Sequence, residues 1–216
     1  ALKFVKSGMV LGLGTGSTAK FFVEGLAAAL KRGDLQNIVG VATSEATAKL
    51  ASSLGVRVDP LSAHEVIDLA VDGADEVDPN FDLIKGHGKA FLREKAVEKR
   101  AKRFVVIVDE SKMVERLGVS YLPIEFKIEA QTAVFAAVAH LGCQVELWIE
   151  NEQPVVSDNG NHLAKCWFER GIADARALAT SLEKIPGLLD HGLFLGMATE
   201  VVVGGEGGVR VVGRNY

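Results

Sequence analysis

Four apolar stretches in the first half of the chain each end in a short polar or glycine-rich segment. These segments are GTGST from Gly14, TSEAT from Thr43, DGAD from Asp72 and DESK from Asp109. Helical patterns separate the stretches, and strands that alternate with helices predict a parallel sheet with right-handed crossovers. In an open sheet of this kind the carboxyl ends of the strands share one edge, where ligands bind. Surface loops are polar in general, but these four differ in a complementary way, so we expect a single site.

Length and composition restrict the possible functions. A chain of 216 residues with 48% hydrophobic and 24% charged residues is typical of a globular protein with one large or two small domains. The net charge of −4 argues against a nucleic-acid surface. Cys143 and Cys166 lack the spacing of a metal site, and no apolar run approaches the ~18 residues that span a bilayer. Because the sequence begins at Ala1 without Met, we expect further residues before it.

The alternation of strands and helices gives way to a different pattern after residue 123. We predict an α/β protein with a Rossmann-like parallel sheet flanked by helices. A smaller α+β domain is expected at 124–196, inserted before the last strand, and the catalytic α/β domain at 1–123 and 197–216. The strand at 200–203 is expected to return to the first sheet.

The segment 14–18 follows a strand and precedes a helix that Ser17 or Thr18 is expected to cap. Its G-x-G-x-x-A spacing matches the loose dinucleotide fingerprint. A dinucleotide site needs an acid at the end of the second strand, where this chain has Thr43 and Ser44. Backbone N–H groups at a helix N-terminus suit a phosphate, so we prefer a phosphate-binding loop to a plain capped turn.

A helix predicted to run to about Lys102 carries a carboxylate on its apolar face. Glu94 follows the i, i+4, i+7 spacing with Ala90 and Val97. A carboxylate in a buried stripe is costly unless it is paired, protonated or used in chemistry. Two interpretations stay open here. Either Glu94 reaches solvent or pairs with a neighbouring cation, or it is a general base.

Small residues separate Asp72 from Asp75, so the backbone can approach a ligand closely there. Lys85 begins a second glycine-rich loop, 85–88. A metal held by Asp72, Asp75, His87 and Glu94 is conceivable, but no His pair or Cys cluster supports it, and we predict no metal. A phosphate loop, two acids, a lysine and a helical Glu suit proton transfer beside the carbonyl of a phosphorylated sugar.

The motifs GLGTGSTA, SEAT, VDGADEVD, KGHGKAFLREK and DESK resemble, in order and spacing, those of the A-type ribose-5-phosphate isomerase family. PIEF, SDNGNHL and IPGLLDHGLF fit the same family, so the resemblance covers nearly the whole chain. It implies interconversion of ribose 5-phosphate and ribulose 5-phosphate in the pentose phosphate pathway, without metal or coenzyme. It also implies a homodimer or a dimer of dimers. The expected location is the cytoplasm, with the plastid stroma as the alternative.

The resemblance also implies roles for individual residues. Glu94 would accept the proton between C1 and C2, Lys85 would stabilise the enediolate, and Asp72 would assist ring opening and hydroxyl proton transfer. The residues implied for substrate binding are Thr15, Gly16, Ser17, Thr18, Asp72, Gly73, Ala74, Asp75, Lys85, Gly86, His87, Gly88 and Lys112. Many members of the family have Gly where this chain has His87, so the role of His87 is open.

Two alternatives come from other functional classes. A non-catalytic sugar-phosphate sensor would keep the phosphate loop without needing Glu94 and Lys85 together. A nicotinamide dehydrogenase rests on the G-x-G-x-x-A spacing alone. Turnover of ribose 5-phosphate without added metal, and without a change in NAD(P)H absorbance, would separate the isomerase from both.

Overall fold

The computed structural model describes residues 1–213, which contain sixteen strands, five α-helices and four short 3-10 turns. The strands are β1 Val10–Leu13, β2 Val39–Ala42, β3 Arg57–Val58, β4 Leu69–Asp72, β5 Glu76–Val77, β6 Leu83–Ile84, β7 Phe104–Asp109, β8 Leu122–Phe126, β9 Gln144–Leu147, β10 Ile149–Glu150, β11 Gln153–Pro154, β12 His162–Trp167, β13 Leu188–His191, β14 Leu193–Phe194, β15 Glu200–Gly205 and β16 Gly208–Gly213. The helices are α1 Ser17–Arg32, α2 Glu45–Ser53, α3 Phe91–Glu98, α4 Gln131–Ala139 and α5 Ala175–Leu182. The 3-10 turns are Leu2–Phe4, Leu61–Ala63, Glu110–Lys112 and Ile128–Ala130.

The chain divides into two compact units. Among the described residues, the first contains 1–74, 93–111 and 197–213, and the second contains 75–92 and 112–196. The second unit therefore includes the whole range predicted for the smaller domain, together with two further segments. The limits of the two folding domains stay a prediction.

A seven-stranded sheet with the order β16-β15-β7-β4-β1-β2-β3 forms the centre of the first unit. All neighbours in this sheet pair in parallel except β15 and β16, which pair antiparallel. Strand β15 lies beside β7, so the chain does return to the first sheet as predicted. The Rossmann-like α/β fold class is confirmed.

The core of the first unit explains why its strands are almost continuously apolar. Leu11, Leu69 and Val105 of neighbouring strands form one buried cluster with Val23 and Leu26 of α1. A second cluster contains Val41, Ile67 and Val97, the last of which belongs to α3. A strand that is buried on both faces cannot alternate apolar with polar residues.

The helix that carries Glu94 is shorter than predicted. It ends at Glu98 rather than near Lys102. After it, Ala101 forms an isolated parallel bridge with Ile67, and Lys102 N–H donates to the Ile67 carbonyl at 2.9 Å. The chain leaves the helix early because its backbone groups pair with the segment before β4.

The second unit is built from antiparallel strands and two helices. Its sheets have the orders β13-β8-β12-β9 and β14-β6-β5, and β10 pairs with β11. Ile124 and Phe126 of β8 are fully buried and share a core with Val134 of α4 and Leu178 of α5. None of the helices within residues 1–213 is long and apolar enough to cross a bilayer.

Candidate active site

In the first unit, the buried carboxylate of Asp72 holds the loop that follows β1. Asp72 is 1% exposed. Its Oδ1 accepts hydrogen bonds from the backbone N–H of Thr15 at 3.0 Å and of Gly73 at 2.7 Å. A Cβ on Gly14 would lie 2.1 Å from the same oxygen, so this position requires glycine. The structure therefore brings together Asp72, Thr15 and Gly73 of the predicted site, and Ala74 follows them half-buried.

A cluster of four hydroxyl groups joins the ends of β1 and β2. The Oγ1 of Thr15 lies 2.7 Å from Thr43 Oγ1, 2.9 Å from Ser44 Oγ and 3.2 Å from Thr47 Oγ1. Thr47 Oγ1 also donates to the Gly14 carbonyl at 3.0 Å. The cluster fixes the loop from one side. Thr43, Ser44 and Thr47 were not predicted as site residues, although the run of hydroxyls in TSEAT was a signal for them.

The N-terminus of α1 differs from the prediction. Its N-cap is Gly16, with φ 108°, and no side chain within residues 1–213 caps it. Ser17 and Thr18 do not cap the helix, because both already belong to its first turn. They are exposed there. N–H groups in a first helical turn have no partner within the helix, so this end suits an anion. A cavity of about 170 Å³ adjoins the loop, and its lining includes Gly14, Thr15, Gly16 and Lys20.

Glu94 lies inside the protein. It is 3% exposed, which contradicts the alternative in which it reaches solvent. Lys95 and Glu98 of α3 are also buried, at 4% and 3%. Arg93, by contrast, lies 3.8 Å from Glu45 and is more exposed. Burial of the Glu94 carboxylate satisfies one condition for a general base that works away from bulk water.

In the second unit, Lys85 begins a tightly packed loop. Its side chain is 2% exposed, and Nζ lies 5.4 Å from the centroid of the Phe194 ring. The Lys85 N–H donates to the Gly192 carbonyl at 2.9 Å. The next residue, Gly86, has φ +120°, and a Cβ there would lie 2.6 Å from the ring of Phe91. The loop therefore needs glycine at this position for both backbone conformation and space.

Asp75 and His87 face each other in the second unit. The His87 N–H donates to Asp75 Oδ2 at 2.9 Å, and His87 Nδ1 lies 3.5 Å from Asp75 Oδ1. Gly88, the next residue, is exposed. Lys112 is half-buried at the end of the turn Glu110–Lys112. Among the predicted site residues of the second unit, Asp75 and His87 are in direct contact.

Glu76 supports the segment that leads into β8. It is 3% exposed, and its carboxylate accepts hydrogen bonds from Gly118 N–H and Ser120 N–H, both at 2.6 Å. Ser120 Oγ donates to the same carboxylate at 2.5 Å. No role was predicted for Glu76, although it is part of the DGADE motif.

Residues 1–213 contain no group of three or more His, Cys, Asp or Glu side chains that could hold a metal ion.

Comparison with known proteins gives consistent matches. The family model for ribose 5-phosphate isomerase A (phosphoriboisomerase A) matches residues 39–208. Ribose-5-phosphate isomerase A of Roseiflexus castenholzii is 50% identical over 211 residues, which are 97% of this chain and 90% of that protein. Probable ribose-5-phosphate isomerase 3, chloroplastic, of Arabidopsis thaliana is 43% identical over 219 residues, covering 98% of this chain and 79% of that protein. A solved D-ribose-5-phosphate isomerase in complex with phospho-erythronic acid has a TM-score of 0.96 at 41% identity, covering 99% of this chain and 94% of that one.

A parallel sheet flanked by helices, with glycine- and hydroxyl-rich loops at its strand ends, defines an α/β enzyme class that binds small anionic ligands at this edge. Within that class, the chain belongs to the ribose 5-phosphate isomerase A family. The family and the isomerase activity predicted from the sequence are thereby confirmed.

Proposed function

We propose that this protein interconverts D-ribose 5-phosphate and D-ribulose 5-phosphate through an enediolate, with Glu94 as the base. The observation that carries the proposal is the burial of Glu94, 3% exposed, in a chain of this isomerase family. A carboxylate kept from bulk water accepts a proton from carbon more readily than a hydrated one, because water no longer stabilises its charge.

The proposed reaction balances without a redox partner. In the open-chain aldose, Glu94 takes the proton from C2, and the electron pair of that C–H bond forms the C1–C2 double bond. Negative charge then develops on the former carbonyl oxygen at C1. Glu94 returns the proton to C1, and the O2 hydroxyl proton moves to O1, which gives the ketose. Asp72 is assigned to ring opening and to this movement of hydroxyl protons.

Lys85 is the proposed source of positive charge for the enediolate. Its burial at 2% exposure keeps the ammonium group from water, and a fixed charge in such a place stabilises a developing oxyanion strongly. The N–H groups of the loop Gly86 to Gly88 and the carboxylate of Asp75 are proposed to hold the substrate oxygens. Gly73 and Ala74 leave room for the substrate because their side chains are small.

The phosphate is proposed to lie at the loop Thr15, Gly16, Ser17 and Thr18, with Lys112 as a further cation. The first turn of α1 is exposed. A first helical turn offers N–H groups without a partner in the helix and the positive end of the helix dipole. The complex with phospho-erythronic acid reported for a similar structure supports a phosphorylated sugar acid as the test ligand.

The remaining proposals concern the oligomeric state, the pathway and the cellular location. We propose a homodimer or dimer of dimers that acts in the pentose phosphate pathway, in the cytoplasm or, alternatively, in the plastid stroma. The relative from Roseiflexus castenholzii supports the cytoplasm, and the Arabidopsis relative named as chloroplastic supports the plastid stroma. Light scattering after size-exclusion chromatography measures the assembly, and a monomer at micromolar concentration would contradict this part.

A direct assay tests the proposed activity. Purified protein, treated with a metal chelator and without nicotinamide cofactor, should convert ribose 5-phosphate to the ketose. Binding of ribose 5-phosphate without turnover would instead favour the sensor, and a change in NAD(P)H absorbance would favour the dehydrogenase.

A further inference from the structure

The imidazole of His87 is held at both nitrogens and on one face. Its Nε2 lies 3.1 Å from the backbone carbonyl oxygen of Tyr121, and its Nδ1 lies 3.5 Å from Asp75 Oδ1. The second distance is longer than an ordinary hydrogen bond, so this contact is chiefly electrostatic. The ring stacks on the Tyr121 ring with centroids 4.0 Å apart and an interplanar angle of 21°.

Both nitrogens of His87 face oxygen atoms of the protein. A carbonyl oxygen only accepts hydrogen bonds, so in the contact with Tyr121 the Nε2–H of His87 is the donor. This bond and the contact of Nδ1 with Asp75 hold the ring between Tyr121 and Asp75.

Tyr121 belongs to an aromatic cluster with Trp148 and Trp167. Its ring meets the rings of Trp148 and Trp167 edge to face, with centroids 5.3 and 5.1 Å away. Lys165 Nζ lies 5.2 Å from the centroids of both Tyr121 and Trp148. Burial, followed by the charges of Asp75 and Glu150, raises the pKa of Tyr121 to about 12, so its hydroxyl stays neutral. His87 therefore stacks on a Tyr121 ring that carries no negative charge.

The loop is held a second time two residues later. Lys89 forms an ion pair with Glu150, and its Nζ lies 5.6 Å from the centroid of Trp148. Lys89 also has φ 66°, a left-handed conformation that is unfavourable for a residue with a side chain. The residues on either side of Gly88 therefore both contact the aromatic cluster, His87 through Tyr121 and Lys89 through Trp148.

We propose that His87 is a positioning residue, which orients the Asp75 carboxylate and fixes the loop amides of residues 86–88 against Tyr121. This inference rests on the proposed function, in which Asp75 and those amides hold substrate oxygens. His87 acts through them rather than by proton transfer to the substrate, because both of its nitrogens are already engaged by protein oxygens.

Two substitutions separate the parts of this arrangement. His87→Phe keeps a ring that can stack on Tyr121 but has no donor, and His87→Gln keeps an N–H donor but no ring. Because the hydrogen bond to the Tyr121 carbonyl and the contact with Asp75 are lost, His87→Phe should raise KM for ribose 5-phosphate about tenfold, with kcat changed less than about threefold. His87→Gln should recover part of the loss in KM. His140→Gln, an exposed histidine at the end of α4, is the matched control.

The outcomes distinguish this inference from the proposed function. If the wild type is active and His87→Phe has the same KM and kcat, the positioning role is wrong and the isomerase proposal stands. If the wild type does not turn over ribose 5-phosphate, the proposed function is wrong. Calorimetry with phospho-erythronic acid then decides the inference, since an equal Kd for the wild type and both variants would overturn it.

Discussion

The carboxylate of Asp72 occupies the space that a side chain on Gly14 would need. A Cβ at residue 14 would be 2.1 Å from Asp72 Oδ1 and 2.2 Å from its Cγ. The same oxygen accepts the N–H of Thr15. The end of β4 and the loop after β1 are thus fixed to each other, so that a change in one must displace the other.

Gly14→Ala should therefore damage both stability and substrate binding. Overpacking a closely fitted site typically costs about 1–3 kcal/mol of unfolding free energy. Displacement of the loop should also raise KM for ribose 5-phosphate. Urea unfolding and steady-state kinetics measure the two effects. Gly207→Ala is the control, because a Cβ at Gly207 meets no atom within 4 Å and its φ is not positive. Equal stability and KM in the two variants would show that Asp72 can move aside.

The sequence predicted those parts of the molecule that depend on local pattern. The four apolar stretches in the first half of the chain predicted the parallel strands β1, β2, β4 and β7. The spacing of Glu94 with Ala90 and Val97 left two interpretations open, and the burial of Glu94 decides against the one in which it reaches solvent.

Other features depend on contacts that no local pattern contains. The hydroxyls of Thr15 and Thr47 meet although 32 residues separate them, and His87 stacks on Tyr121, which lies 34 residues further along. Strands β5 and β6 have only two residues each, too few for an alternating pattern to be recognised. Helix α3 ended early because of a tertiary pairing with Ile67, which helix propensity cannot predict.

Lys112 provides a test of the proposed phosphate site. Lys112→Ala should raise the inhibition constant of phospho-erythronic acid about tenfold or more, because a charge-assisted contact is lost. The inhibition constant of erythronic acid without phosphate should not change. Lys127→Ala removes an exposed lysine of the same unit and is the control. If the two acids are affected equally, Lys112 does not contact the phosphate.

The ion pair of Arg103 and Glu200 predicts a dependence of stability on pH. Arg103 Nε lies 2.8 and 3.1 Å from the two carboxylate oxygens. Burial alone would raise the pKa of Glu200, but hydrogen bonds from Arg103 and Thr199 outweigh it and hold that pKa below its ordinary value. A lowered pKa in the folded state contributes stability above the unfolded pKa of ~4.3, and this contribution is lost as pH falls through the folded value.

Glu200→Gln should accordingly lower the free energy of unfolding at pH 7 by about 0.5–1 kcal/mol, since the pair is partly solvated. The difference from the wild type should shrink toward zero below about pH 4. Denaturation curves across this range measure it, and Glu206→Gln, in the exposed turn between β15 and β16, is the control. A difference that does not vary with pH would mean that the carboxylate charge is not what stabilises the fold here.

Glu94→Gln is the most direct test of the proposed mechanism, because it removes the base while keeping the size of the side chain. Glu98→Gln on the same helix is the matched control, since Glu98 is equally buried at 3%. Single-turnover kinetics and equilibrium binding of ribose 5-phosphate should be measured for both variants. We predict that Glu94→Gln binds the sugar phosphate but loses at least ~10²–10⁴-fold in the rate of isomerisation, whereas Glu98→Gln stays active. Near-normal turnover by Glu94→Gln would contradict the assignment of Glu94 as the base.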